Sequence, residues 1–170
     1  ISGRGSNMEA VARACLAGRI NARVDIVISD RDDARGLAIA KELGLKTSVV
    51  SWKIYEDRAE FERELAGRLD DHQIEVIVLA GFMRVLSPGF AEMYAGRLIN
   101  IHPALLPSFK GLHTHQRALD EGVKIHGCTV HYVRQEMDVG PIIAQAAVPV
   151  LDGDTAEILA ARVLMAEHKL

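Results

Sequence analysis

The sequence predicts an α/β fold: a Rossmann-like, open and mostly parallel twisted sheet flanked by helices, with antiparallel strands toward the C-terminal end. Three observations carry this. Helix-period apolar segments alternate with β-branched runs through the first hundred residues, the βαβ rhythm. Ile74 to Ala80 is almost continuously apolar, as a parallel strand buried on both faces would be. Gly127 to Val133 and Pro141 to Val150 form two strand patterns joined by a turn-rich segment, a pairing that suits antiparallel strands.

The elements follow in order. Met8, Val11, Ala12, Cys15 and Leu16 fall at helical spacing, and Gly18 stands where a C-terminal cap belongs, so a helix is predicted over about 7–17. Val24 to Ser29 is β-branched and reads as a strand. Ala34, Leu37, Ala38 and Leu43 then give a second helix ending at Gly44, and Phe61, Leu65 and Leu69 mark a third. Beyond Pro88 a short helix leads to the strand Leu98-Ile99-Asn100-Ile101, an irregular Pro-rich loop and a helix near His115 to Gly122. A closing helix follows Asp154, a good cap residue, with Leu159, Val163 and Ala166 on one stripe.

A chain of 170 residues with 49% hydrophobic residues suits one sizeable core, and a single domain over 1–170 is expected. The glycine loop at Gly3 normally needs a strand before it, so the start of that strand is expected to precede Ile1. A formal net charge of −3 advertises no general attraction to nucleic acid or to an anionic membrane; any phosphate must be caught locally. Cys15 and Cys128 are far apart and sit in apolar patterns, which suits reduced core thiols in a cytoplasmic protein.

Three segments are chemically suggestive. Gly3-Arg4-Gly5-Ser6-Asn7 precedes the first helix, where free backbone N–H groups and the positive helix end favour an anion. Met8 replaces the third glycine of the dinucleotide fingerprint, which favours a terminal phosphate over NAD; a tight turn with a capped helix fits the segment equally well. Asn100 and His102 stand two residues apart at a strand end, project to one side if extended, and can together stabilise an oxyanion. A strand-end pair satisfied by loop backbone is the plainer alternative. Asp138, in Glu136-Met137-Asp138-Val139-Gly140-Pro141, either approaches His102, fixing its tautomer and favouring its charged form, or merely opens a Gly-Pro turn. Five of seven histidines lie between Asn100 and Tyr132, but their spacing matches no compact zinc pattern, and no metal is expected.

Together the segments resemble the folate-dependent formyltransferases. The hallmark is Asn100-Ile101-His102-Pro103-Ala104-Leu105-Leu106-Pro107, supported by the glycine loop, by Leu79-Ala80-Gly81-Phe82-Met83-Arg84 and by Gly111-Leu112-His113-Thr114-His115. The last of these, with Gly5-Ser6-Asn7, points to the branch that acts on a ribonucleotide. The resemblance extends to about His168 and implies formyl transfer from 10-formyltetrahydrofolate to the amine of glycinamide ribonucleotide in purine synthesis. It implies catalytic roles for Asn100, His102 and Asp138, phosphate binding by Gly5, Ser6 and Asn7, and a place near the substrate amine for Glu167. It also implies folate contacts at Arg58, Met83, Arg84, Val85 and Leu86, with Thr129 and His131 as loop supports. Both ligands are small molecules; no nucleic acid or membrane partner is expected, and the protein is expected to be a monomer or homodimer. The family usually continues beyond a position such as Leu170, so a C-terminal stretch is expected. The hydrolytic and tRNA-directed branches of the family are alternatives, as is a non-catalytic nucleotide-binding module.

Overall fold

In the computed structural model, which describes residues 1–170, contacts divide the chain into two units, Ile1–Phe90 and Ala91–Leu170. The first unit holds α1 (Ser6–Leu16), β1 (Val27–Ser29), α2 (Arg35–Glu42), β2 (Thr47–Val49), a 3₁₀ turn (Trp52–Ile54), α3 (Arg58–Asp71) and β3 (Ile77–Leu79). β1 and β2 are parallel, with Val27 opposite Thr47, as a βαβ connection through α2 requires. β2 is missing from the sequence reading because it is three residues long and begins Thr47-Ser48, too short and polar to show a period. Ile1, Met8, Ala12, Val27, Ala40 and Ala80 form the buried cluster of this unit.

Local chemistry sets the helix ends. The Asp57 carboxylate accepts from the Glu60 backbone N–H at 2.9 Å and so caps α3, satisfying a donor that the helix leaves free. Buried Glu62 of α3 accepts from both the backbone N–H and the hydroxyl of Ser87, whose Oγ in turn accepts from Phe90 N at 3.1 Å. This pins the start of α4 (Pro88–Met93), where proline takes the first helical position. β3 departs from expectation: it is shorter than 74–80, and Val78 is 38% exposed rather than covered on both faces. Val76, Ile77, Val78 and Leu79 border an apolar cavity shared with Ile26, Ile28 and Phe61, so side chains do not close over this strand.

The second unit holds β4 (Leu98–His102), α5 (Thr114–Asp120), β5 (Ile125–Tyr132), β6 (Ile142–Pro149) and α6 (Ala156–Glu167). β5 and β6 are antiparallel, and the antiparallel arrangement begins one strand earlier than the sequence pattern suggested, because β4 also runs antiparallel to β5. That register puts Asn100 opposite His131 and His102 opposite Thr129. Ala118, Cys128, Leu159 and Val163 are wholly buried where α5 and α6 cover β5; burying Leu159 and Val163 stabilises the fold by about 1.5–3 kcal/mol each.

Asp154 is not the cap of α6. It stands one residue too early, and Thr155 Oγ1 accepts from Ile158 N instead. Asp154 takes a bidentate ion pair from Arg162, at 2.6 and 2.9 Å, and accepts from Leu151 N; the Arg162 contact, then that backbone bond, hold its carboxyl down at about 2. Cys15 is half-buried and Cys128 buried, both unpaired thiols. No helix is long and apolar enough to cross a membrane.

Candidate active site

Strand β4 delivers Asn100 and His102 side by side in sequence parity, and the loop between β5 and β6 returns Asp138 to them. The return is enforced by backbone geometry: Asp138 adopts φ +55°, and Gly140 follows where a Cβ would lie 1.6 Å from the Tyr132 carbonyl oxygen. Only glycine allows that approach, and the resulting turn buries the Asp138 side chain. Its Oδ2 lies 3.4 Å from His102 Nδ1 and its Oδ1 lies 3.6 Å from His131 Nε2. Gly111 N also donates to Oδ2 at 2.9 Å. Burial raises the Asp138 carboxyl, but His131, the Gly111 N–H and the charge of His102 outweigh it, so the carboxyl sits below its ordinary value and is ionised at neutral pH.

Tautomers follow from the partners. His102 Nε2 lies 2.9 Å from the Phe109 carbonyl oxygen, which only accepts, so Nε2 carries a proton. A neutral His102 would then turn a bare Nδ1 toward the Asp138 carboxylate; protonating Nδ1 converts that contact into a charge-assisted pair. His131 Nδ1 lies 3.0 Å from the Tyr132 carbonyl oxygen, and its Nε2 lies 3.3 Å from Asn100 Nδ2 and 3.6 Å from Asp138 Oδ1. His131 therefore orients both Asn100 and Asp138, beyond the loop-support role expected of it. Thr129, wholly buried, does support the loop: its Oγ1 donates to Ala104 O at 2.7 Å and accepts from Leu106 N at 3.0 Å.

Asn100, His102 and Asp138 thus converge in the second unit. Glu167, half-buried at the end of α6, lies near Cys128; burial first, and then the Glu167 charge, push that thiol up to about 11. His115 and His126 stack edge to face, 5.3 Å between ring centres, against the loop that carries Phe109. No group of three or more His, Cys, Asp or Glu side chains is arranged to hold a metal ion.

The first unit carries the other expected residues. Gly5 adopts φ +78° immediately before α1, and its Cβ would meet the Cα of Gly36 at 2.5 Å. Gly36 N donates to Gly3 O at 3.0 Å, so the start of α2 braces the loop, and Gly5 occupies the N-cap of α1 with no side chain to cap it. Gly36 is a residue that sequence reasoning missed; its lone position early in a helix pattern was the available signal. Arg58 is exposed at the first turn of α3. In the segment after β3, exposure alternates: Met83 and Val85 project outward, at 70% and 58% exposed, while Phe82, Arg84 and Leu86 are half-buried.

Comparison with known proteins decides the family. The formyl transferase family model matches residues 1–170. The chain belongs to the formyl transferase family. This formyl transferase is 46% identical over 170 residues to phosphoribosylglycinamide formyltransferase of Escherichia coli, covering all of this chain and 80% of that one. It is 45% identical over 170 residues to the human trifunctional purine biosynthetic protein adenosine-3, of whose length it spans 17%. Among solved structures, glycinamide ribonucleotide transformylase 1 from Symbiobacterium toebii superposes with a TM-score of 0.98 at 46% identity, covering 100% of this chain and 80% of that one. Phosphoribosylglycinamide formyltransferase from Brucella melitensis gives 0.94 at 55% identity, with 99% and 87% covered. The Rossmann-like α/β architecture of this formyl transferase is thereby established, antiparallel C-terminal strands included.

Proposed function

We propose that this formyl transferase moves a formyl group from 10-formyltetrahydrofolate to the amine of glycinamide ribonucleotide by direct acyl transfer. The observation that carries the reading is the buried Asp138 carboxylate facing His102 beside Asn100 at the end of β4, in a chain whose relatives are named for this acceptor.

The neutral amine attacks the formyl carbon and forms a C–N bond, giving a tetrahedral oxyanion. Asn100, through its amide, and protonated His102 donate to that oxygen, His102 through the Nε2–H that the Phe109 carbonyl gives up. Asp138, facing Nδ1, stabilises the positive charge that His102 carries during transfer. Collapse breaks the bond from carbon to the folate nitrogen, and the proton lost by the attacking amine reaches that nitrogen through His102 or water. In this reading Gly5, Ser6 and Asn7 hold the ribonucleotide phosphate at the start of α1, and Glu167 serves the amine end. Arg58, Met83, Arg84, Val85 and Leu86 contact the folate.

The test is product analysis of the purified protein with both substrates after exhaustive chelation. Formylated ribonucleotide appearing in step with loss of donor is the expected result. Release of formate independent of the acceptor would instead mark a hydrolase, and activity restored only by zinc would overturn the metal-free chemistry.

A further inference from the structure

Arg84 is half-exposed yet held on two sides. Its Nε donates at 2.7 Å to Oδ2 of Asp30, a carboxylate only 1% exposed at the end of β1, and its guanidinium lies 5.3 Å from the centre of the Trp52 ring. Trp52 is in turn fixed edge to face against buried Phe61, 5.0 Å between ring centres. The Nε contact uses one N–H of the guanidinium, and the side chain stays 34% exposed, so its terminal N–H groups are available to a ligand. On either side of Arg84 in sequence, Met83 and Val85 present exposed apolar side chains. A flat apolar body ending in a carboxylate matches this combination, because an arginine fork reads carboxylate geometry directly.

We infer that Asp30 is a positioning residue for the folate donor, holding Arg84 against Trp52 so that its free edge receives a carboxylate of the donor's glutamate tail. The inference rests on the folate reading above and adds to it a buried residue that touches no ligand. A surface arginine loses rotamer freedom when it binds; Asp30 has already removed that freedom, so the tail meets a preorganised partner. A purely Coulombic role has the opposite sign. A carboxylate beside the guanidinium offsets its positive charge, so removing Asp30 would then tighten anion binding.

The experiment is calorimetric titration of the full chain with 10-formyl-5,8-dideazafolate and with the same compound lacking its glutamate. Asp30→Ala is expected to weaken the tailed ligand by about tenfold and the tail-less one by less than about twofold. Asp30→Asn, which keeps an oxygen acceptor for Nε, is expected to stay within about threefold of the parent protein on both. Asp30→Ser keeps a polar group in the buried position but draws it back from Nε; it is expected to reproduce the alanine loss and serves if the alanine variant does not fold. Equal losses for the two ligands, tighter binding of the tailed one, or no change in Asp30→Ala overturns the role of Asp30. Failure of the parent protein to bind either ligand overturns the folate reading itself.

Discussion

His102 Nε2 lies 2.9 Å from the carbonyl oxygen of Phe109, so that nitrogen is already bonded to its own loop. Nδ1 faces Asp138, which leaves the imidazolium no third N–H to offer. For His102 to donate to an oxyanion, the substrate oxygen must take the place of the Phe109 carbonyl. The expected outcome is a slowly exchanging His102 Nε2–H resonance in the free protein, with a measurable coupling to the Phe109 carbonyl carbon that disappears when a bisubstrate analogue binds. A coupling that survives in that complex contradicts the exchange.

Ser6→Ala together with Asn7→Ala should weaken glycinamide ribonucleotide binding by roughly 10–100-fold, as expected for losing hydrogen bonds to a charged group, with folate binding nearly unchanged. Titration of each ligand separately checks this. Equal losses for both ligands, with the fold intact by circular dichroism, would mark the loop as structural. Gly5→Ala should fare worse than either, because φ +78° and the 2.5 Å approach to Gly36 leave no room for a methyl group.

Acid should destabilise the protein through His126. Burial, and then the charges of His115 and His102, lower its imidazole to about 4, below the ordinary 6.5. Between those values the unfolded chain takes up a proton that the folded protein refuses, so stability present above about pH 6.5 is lost as the pH falls toward 4, by up to about 3 kcal/mol. His126→Phe keeps a ring between Phe109 and His115 and removes the titration. Denaturant melts of both proteins across that range should show a flatter pH dependence for the variant; parallel curves would assign the acid sensitivity elsewhere.

Much of this fold could be read from period alone, because helices such as α1 and α6 repeat their apolar residues over several turns and burial follows the stripe. β2 and the limits of β3 could not, since three-residue strands are defined by their neighbours more than by their own pattern. The antiparallel pairing of β4 with β5 depends on chain reversals that residue types do not specify. In the site, Asn100 and His102 were legible because two polar residues interrupt an apolar strand end. The bracing of the Gly5 loop by Gly36, the donation from Gly111 to Asp138 and the orienting role of His131 join residues distant in sequence, and only packing reveals them. Asp30 was hidden for the same reason: 54 positions separate it from Arg84.

The central claim is that the Asp138 carboxylate, set against His102 Nδ1, supports the positive charge on that imidazole as it handles the oxyanion and the migrating proton. Asp138→Asn preserves shape and an acceptor while removing the carboxylate charge, and steady-state formyl transfer by this variant, with ligand affinities measured alongside, is the most direct measurement. The account predicts that kcat falls by roughly 10²–10⁴-fold with a much smaller change in either binding constant. Near-normal turnover in a folded Asp138→Asn protein would contradict it and reduce Asp138 to a residue of the turn.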